Sequence, residues 1–231
     1  MERIARPDAG RARPKICINS PMAKNLHKQI SKEWATISKE VFRQLKWKYA
    51  GGFIFKEKGP FIYEILCGKC IDQNAVSVLF SYKFSALDET FWEITGEKEN
   101  INKPLSLRVR GVSKAPFKFI ERWVQPFQSE NVAEGYTDLW KVVEQKISEL
   151  NKTVFDLESF LQSLNPGEKE SSEKCLLITG LIHQKKYEQA IEMLTKAIAN
   201  GESGGIIFTN TSYYQYALKY CVEVTGKQKL Q

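Results

Sequence analysis

The sequence predicts an α+β protein: an N-terminal helix, an antiparallel β-sheet of about four or five strands, then a C-terminal helical region. Three observations lead there. Residues 24–46 repeat their apolar side chains at spacings of three and four. Residues 52–112 change to short alternating runs, and from residue 130 the helical spacing returns. The strands follow one another rather than alternating with helices, which argues against a doubly wound parallel sheet.

The first element is "KNLHKQISKEWATISKEVFRQLK", residues 24–46. Leu26, Ile30, Trp34, Ile37, Val41 and Leu45 share one face of a 3.6-residue period, and Gly51-Gly52 ends it with a turn. "GFIFKEK" and "PFIYEILCG" are aromatic and β-branched and meet at Gly59-Pro60, the pattern of a β-hairpin. In the second run Phe61, Tyr63, Ile65 and Cys67 share one face; Ile62, Glu64 and Leu66 share the other. "AVSVLFSYKF", residues 75–84, reads as a third strand. "DETFWEIT", residues 88–95, reads as a short helix with Asp88 as its N-cap. "PLSLRVRGV", residues 104–112, alternates and reads as a fourth strand, and "APFKFIERWV" reads as extended. Beyond residue 130 a helix carries Tyr136, Leu139, Trp140, Val143, Ile147 and Leu150. "TVFDLESFLQSL" is a further helix, stopped by Asn165-Pro166-Gly167. Ser171 or Ser172 caps a helical hairpin that turns near Gln184–Lys186 and ends at Asn200-Gly201. "IIFTNTSYYQYALKYCVEV" is read as a last helix. The expected organisation is a basic arm over residues 1–21, an α+β domain over 22–165 and a helical region over 172–231, with Met22 as an alternative start.

The formal net charge of +7 invites a nucleic-acid reading, but its distribution matters more. Residues 1–28 hold seven basic side chains against Glu2 and Asp8, a net +5, which leaves +2 for the remaining 203 residues. The body is therefore close to neutral, and the high pI reports the arm. No window approaches a membrane-spanning apolar run, and the N-terminus has no apolar signal core. Five scattered cysteines, Cys17, Cys67, Cys70, Cys175 and Cys221, fit reduced thiols in a cytoplasmic protein.

Chemistry-bearing motifs are sparse. Cys67-Gly68-Lys69-Cys70 is a C-x-x-C, yet a strand follows it where a redox dithiol needs a helix N-terminus, and no second pair completes a zinc site. Only His27 and His183 are available as catalytic bases, and both lie in polar helical turns. Glu89 and Glu93, four apart, are a pair that a metal-dependent nuclease could use, but no partner carboxylate and lysine are identifiable; an acidic first turn suited to the helix dipole is the simpler reading. "KWKYAGGFIFKEK" and "RVRGVSKAPFKFIERW" interleave basic and aromatic residues, as single-strand binders do and as core aromatics with a basic outer face also do. Tyr187, Ala190, Leu194 and Ala197 match one tetratricopeptide helix without a second copy. No cofactor, metal or catalytic set is expected, and no enzymatic activity.

From about residue 26 to 150 the chain resembles a bacterial domain family of uncharacterised function. The resemblance rests on G-F-x-x-K-x-x-x-x-F, here Gly52, Phe53 and Lys56 followed by "GPFIYEI", and on "LDETFWEI" followed by "PLSLRVRGV". Members often lie among the immunity proteins of bacterial toxin systems, so the resemblance implies a non-enzymatic module that binds a toxin domain. The expected partner-binding surface is the acidic stretch Asp88, Glu89, Glu93, Glu97 and Glu99, with Trp92 as an aromatic anchor. A nucleic-acid-associated protein using the arm and the basic-aromatic strands is the alternative.

Overall fold

The computed structural model describes residues 32–33, 36–50, 53–70, 75–111, 113–126, 132–167, 172–208 and 210–228. The expected arm, the first turns of the 24–46 helix, His27, Trp34, Cys17, Gly51-Gly52 and Ser171 lie outside the described residues.

Residues 36–45 are helical (α1). A five-stranded antiparallel sheet follows in simple sequential order: β1 Lys48–Ala50, β2 Phe53–Lys58, β3 Phe61–Cys70, β4 Ala75–Phe84 and β5 Lys118–Pro126. Gly59 takes φ of 60° at the first place of the two-residue β2–β3 loop, where a primed hairpin turn calls for glycine. Helices α2 (Leu87–Thr95) and α3 (Leu105–Arg110) lie between β4 and β5 in sequence. Five helices follow: α4 Val132–Thr153, α5 Leu157–Gln162, α6 Ser172–His183, α7 Tyr187–Ala199 and α8 Tyr213–Gln228. A small ribbon of β6 (Ile207–Phe208) and β7 (Thr211–Ser212) precedes α8. The α+β architecture is as the sequence predicts.

The sheet has two unlike faces. Phe61, Tyr63 and Ile65 of β3 and Val76, Val78, Phe80 and Tyr82 of β4 point to the first, and all are buried. Against them pack Tyr136, Leu139, Trp140, Val143 and Ile147, spaced three and four along α4, and Phe160 of α5. The hydrophobic cluster continues without a break into Cys175, Leu176 and Ile178 of α6, Ala190 and Leu194 of α7, and Tyr213 and Ala217 of α8. The main cover of the sheet is thus α4 with α5 and α6, while α1 lies against α4 through Phe42 and Trp140, edge to face at 5.2 Å. Glu144 of α4 accepts from Trp47 Nε1 and from Lys56 Nζ, both at 2.7 Å, and ties β2 to that layer.

Three segments differ from expectation. "LSLRVR" is helix α3, not a strand. Six residues carry both periods at once: Leu105, Leu107 and Val109 alternate, but Leu105 and Val109 are also four apart, one helical turn. The place beside β4 is taken by β5, whose extended reading holds. Asp88 is not the N-cap: Ala86 holds that position without a side-chain cap, and Asp88 turns inward. The C-terminal helix begins only at Tyr213. Asn210, at φ of 71°, turns the β6–β7 ribbon. Ser212 then caps α8 reciprocally, its Oγ accepting from Gln215 N at 3.3 Å while Gln215 Oε1 accepts from Ser212 N at 2.8 Å.

Candidate functional site

The second face of the sheet holds the unusual chemistry. Antiparallel partners point the same way, so the register sets side chains in rows: Glu64, Ser81 and Phe119; Leu66, Leu79 and Arg122; Gly68, Ser77 and Val124. Helix α3 and the chain from Ser113 to Phe117 cover one end of this face. Under them Phe55, Ile62 and Val109 form a small apolar cluster. Beside it lies a charge cluster.

Lys83 of β4 and Asp88 of α2 are both 0% exposed, and Lys83 Nζ donates to Asp88 Oδ1 at 2.6 Å. Its remaining donors reach the backbone oxygens of Arg108 at 2.6 Å and Ala115 at 3.2 Å. Asp88 Oδ1 also accepts from Ala115 N at 3.0 Å. One ammonium therefore satisfies a carbonyl of α3's last turn, which a helix leaves without an internal partner, and pins the following loop. Burial pushes the Lys83 ammonium down to about 8, against the opposing pull of Asp88. Burial raises Asp88, with Lys83 pulling it back. Nearby Glu64, which accepts from Ser81 Oγ at 3.0 Å, is likewise raised by burial and offset first by Lys114. Lys114 is lowered by burial and stands over the rings of Phe117 at 4.6 Å and Phe53 at 6.0 Å. Asp88 Oδ2 and Glu64 Oε1 have no hydrogen-bond partner among the described residues. The cluster joins α2, α3 and the loop to the sheet. Lys83 and Asp88 expose no surface for a substrate to touch.

Sequence reasoning missed this cluster, although Lys83 was visible as a charged residue inside an apolar strand. The acidic stretch it favoured is divided by the fold. Asp88 and Trp92 are both 0% exposed; Trp92 Nε1 donates to Ser113 O at 2.7 Å beneath the Arg108 guanidinium. Glu89 is exposed and pairs with Arg108 at 3.0 Å; Glu93 is exposed and pairs with Lys98 at 2.9 Å. Glu97 accepts from Asn100 Nδ2 and Ser113 Oγ, each at 3.0 Å. Glu99 is exposed. The same stretch seats the C-terminal helices. Phe91 stacks on Tyr213 at 4.5 Å, and Thr90 Oγ1 meets His183 Nδ1 at 2.8 Å. Tyr220, beside Glu93, is pushed up to about 12, mainly by burial.

The C-x-x-C lies wholly within β3, whose pairing with β4 runs from Phe61↔Phe84 to Cys70↔Ala75. No helix starts at these residues. The buried thiols Cys175 and Cys221 are pushed up to about 12 and about 11 by burial, far from a reactive range. Among the described residues no group of three or more His, Cys, Asp or Glu side chains could hold a metal ion, and no helix is long and apolar enough to cross a membrane. A groove of about 480 Å³ runs between α1 and α4, lined by Ile37, Val41, Leu45 and Trp140; no cluster of catalytic side chains converges on it.

Away from α3 the second face opens. Leu66 and Leu79 are half-buried, and Phe119 and Val124 are 48% and 56% exposed, with Arg122 exposed between them. No family model, curated protein or solved structure matches the chain.

Proposed function

We propose that the chain is a non-enzymatic protein-binding module, of the kind that neutralises a bacterial toxin. The observation that carries the reading is the contrast between its charges and its apolar surface. The buried charges Lys83, Asp88 and Glu64 are held in structural ties, whereas large apolar side chains stand in solvent together on one sheet face. Grouped exposed apolar side chains mark an interaction surface more often than single ones do. The resemblance over residues 26–150 supports a toxin domain as the partner.

Placing Phe119 beside Arg122 also favours a second reading, an aromatic and basic platform for single-stranded nucleic acid. One experiment separates the two. The protein is co-expressed with the product of the adjoining reading frame, and capture is measured across a salt series, alongside binding to single-stranded oligonucleotides. Capture of that product with a shallow salt dependence supports the module. Oligonucleotide binding that falls steeply with salt, and no protein capture, replaces it with the second reading.

A further inference from the structure

We infer that the protein partner docks as an extended segment along the outer edge of β5, laying apolar side chains over Phe119 and Val124 and an acidic side chain at Arg122. The inference rests on the protein-binding reading and gives it a surface and a partner chemistry.

Three observations meet at this place. First, β5 pairs with β4 alone, and no strand among the described residues takes its other edge. An added strand gains main-chain hydrogen bonds there, while alternate side chains supply specificity. The ladder shifts between Phe80 and Ser81, leaving Ile120 as the extra residue, so the regular stretch open to pairing runs from Glu121 to Pro126. Second, that stretch borders the exposed part of the second face. A side chain reaching over the edge meets Val124 and Phe119, with half-buried Leu79 and Leu66 behind them. Small Ser77 and Gly68 in the Val124 row leave the shelf low. Third, the charge at the centre of the patch is unspent. Arg122 is exposed and makes no ion pair among the described residues. The carboxylate nearest in the rows, Glu64, is buried and bonded to Ser81. A guanidinium suits two-point recognition of a carboxylate. The acidic stretch offers less, because Glu89 and Glu93 already have cations of their own.

The test is selection of random linear peptides from a display library on the full chain. The expected consensus is Asp or Glu with an apolar residue two positions away, the spacing at which strand side chains share a face. Arg122→Glu and Phe119→Ser should each weaken the selected peptides about tenfold or more, the size of a central contact. Both variants should keep the parental melting temperature, since the two side chains are exposed. Arg122→Glu should regain binding when the peptide's acidic residue becomes Lys. Peptides that bind both variants normally, and are lost on Glu93→Lys with Glu99→Lys, overturn the placement and leave the protein-binding reading standing. A library that enriches nothing overturns the inference, with that reading judged by capture of the neighbouring product. Oligonucleotide binding in place of peptide binding overturns both.

Discussion

Lys83 shows how one residue can hold several elements and still burden the fold. Bringing an ammonium and a carboxylate out of water costs several kcal/mol each, and only close geometry offsets it. Here the geometry includes two backbone carbonyls and one backbone N–H as well as the pair itself. Lys83→Met leaves Asp88 buried and alone, and is expected to destabilise by about 3–5 kcal/mol. Lys83→Met with Asp88→Leu removes both charges. It also strands Arg108 O and the Ala115 peptide groups, at roughly 1–3 kcal/mol for each buried group left unpaired. The double variant is therefore expected to recover part of the loss and remain below the parent in urea unfolding; a double variant more stable than the parent would show that the loop finds other partners. The pair also gives a pH signature. Lys83 holds its proton less tightly when folded, at about 8 against an ordinary 10.5. Between those values the unfolded chain binds the extra proton, so this lysine's contribution rises with pH across the window and is lost as pH falls through about 8. Thermal melts of parent and double variant across that window should draw apart as pH rises, because only the parent gains from this lysine; parallel curves would refute the assignment.

At the scale of elements, the decisive contact is between α5 and α6. Helix α6 is apolar on nearly every side, with Cys175, Leu176, Ile178, Leu181 and Ile182 all buried, so it must be surrounded. Gly180 lets it approach: a Cβ there would run into the side chain of Leu161 on α5. Alanine favours a helix over glycine by about 1 kcal/mol, whereas overpacking a filled core costs roughly 1–3 kcal/mol. Because the clash involves Leu161 from Cγ outward, the steric cost should win, and Gly180→Ala is expected to lower stability. In a Leu161→Ala background the same change should become neutral or stabilising. A double-mutant cycle by chemical denaturation reads the coupling, and additive effects would remove the explanation. Helix α5 itself is short, and its start rests on a reciprocal cap between Asp156 and Ser159.

For the molecule as a whole, the hydrophobic cluster runs from the sheet into α6, α7 and α8 without a gap. The expected boundary near residue 165 is a turn in the chain with core on both sides of it. A chain ending at residue 167 would uncover Phe91, which stacks on Tyr213, along with the α5 and α2 surfaces that meet α6. It is expected to lose cooperative thermal unfolding; a sharp transition with dispersed amide resonances would establish an independent N-terminal domain. The sheet was legible because β2, β3 and β4 are runs of β-branched and aromatic residues punctuated by Gly59-Pro60. Helix α3 was not, because six residues satisfy two periods and only the neighbour chooses between them. The charge cluster was hidden for a related reason. Ser77, Ser81 and Lys83 look like a solvent face along β4, and the element that covers Lys83 lies in the segment misread as a strand. Asp88 in the first turn of α2 has the same sequence signature whether it faces water or a lysine. Phe119 and Arg122 were visible as basic-aromatic interleaving, but which side of the sheet they occupy depends on a one-residue bulge.

The aromatic seam between α1 and α4 has an optical consequence. The indoles of Trp47 and Trp140 lie 4.9 Å apart with their planes inclined at 55°. Two strong transition dipoles held so close at a fixed chiral angle mix, and their ultraviolet bands split into a couplet of opposite signs. That couplet belongs to neither residue alone, so Trp47→Phe should abolish it while the helical circular dichroism persists. Its amplitude reports whether the segment ending at Trp47 sits on α4, independently of the state of the sheet. Followed during gentle heating, it should fade with the helical signal if α1 and the core come apart together, and ahead of it if the seam opens first.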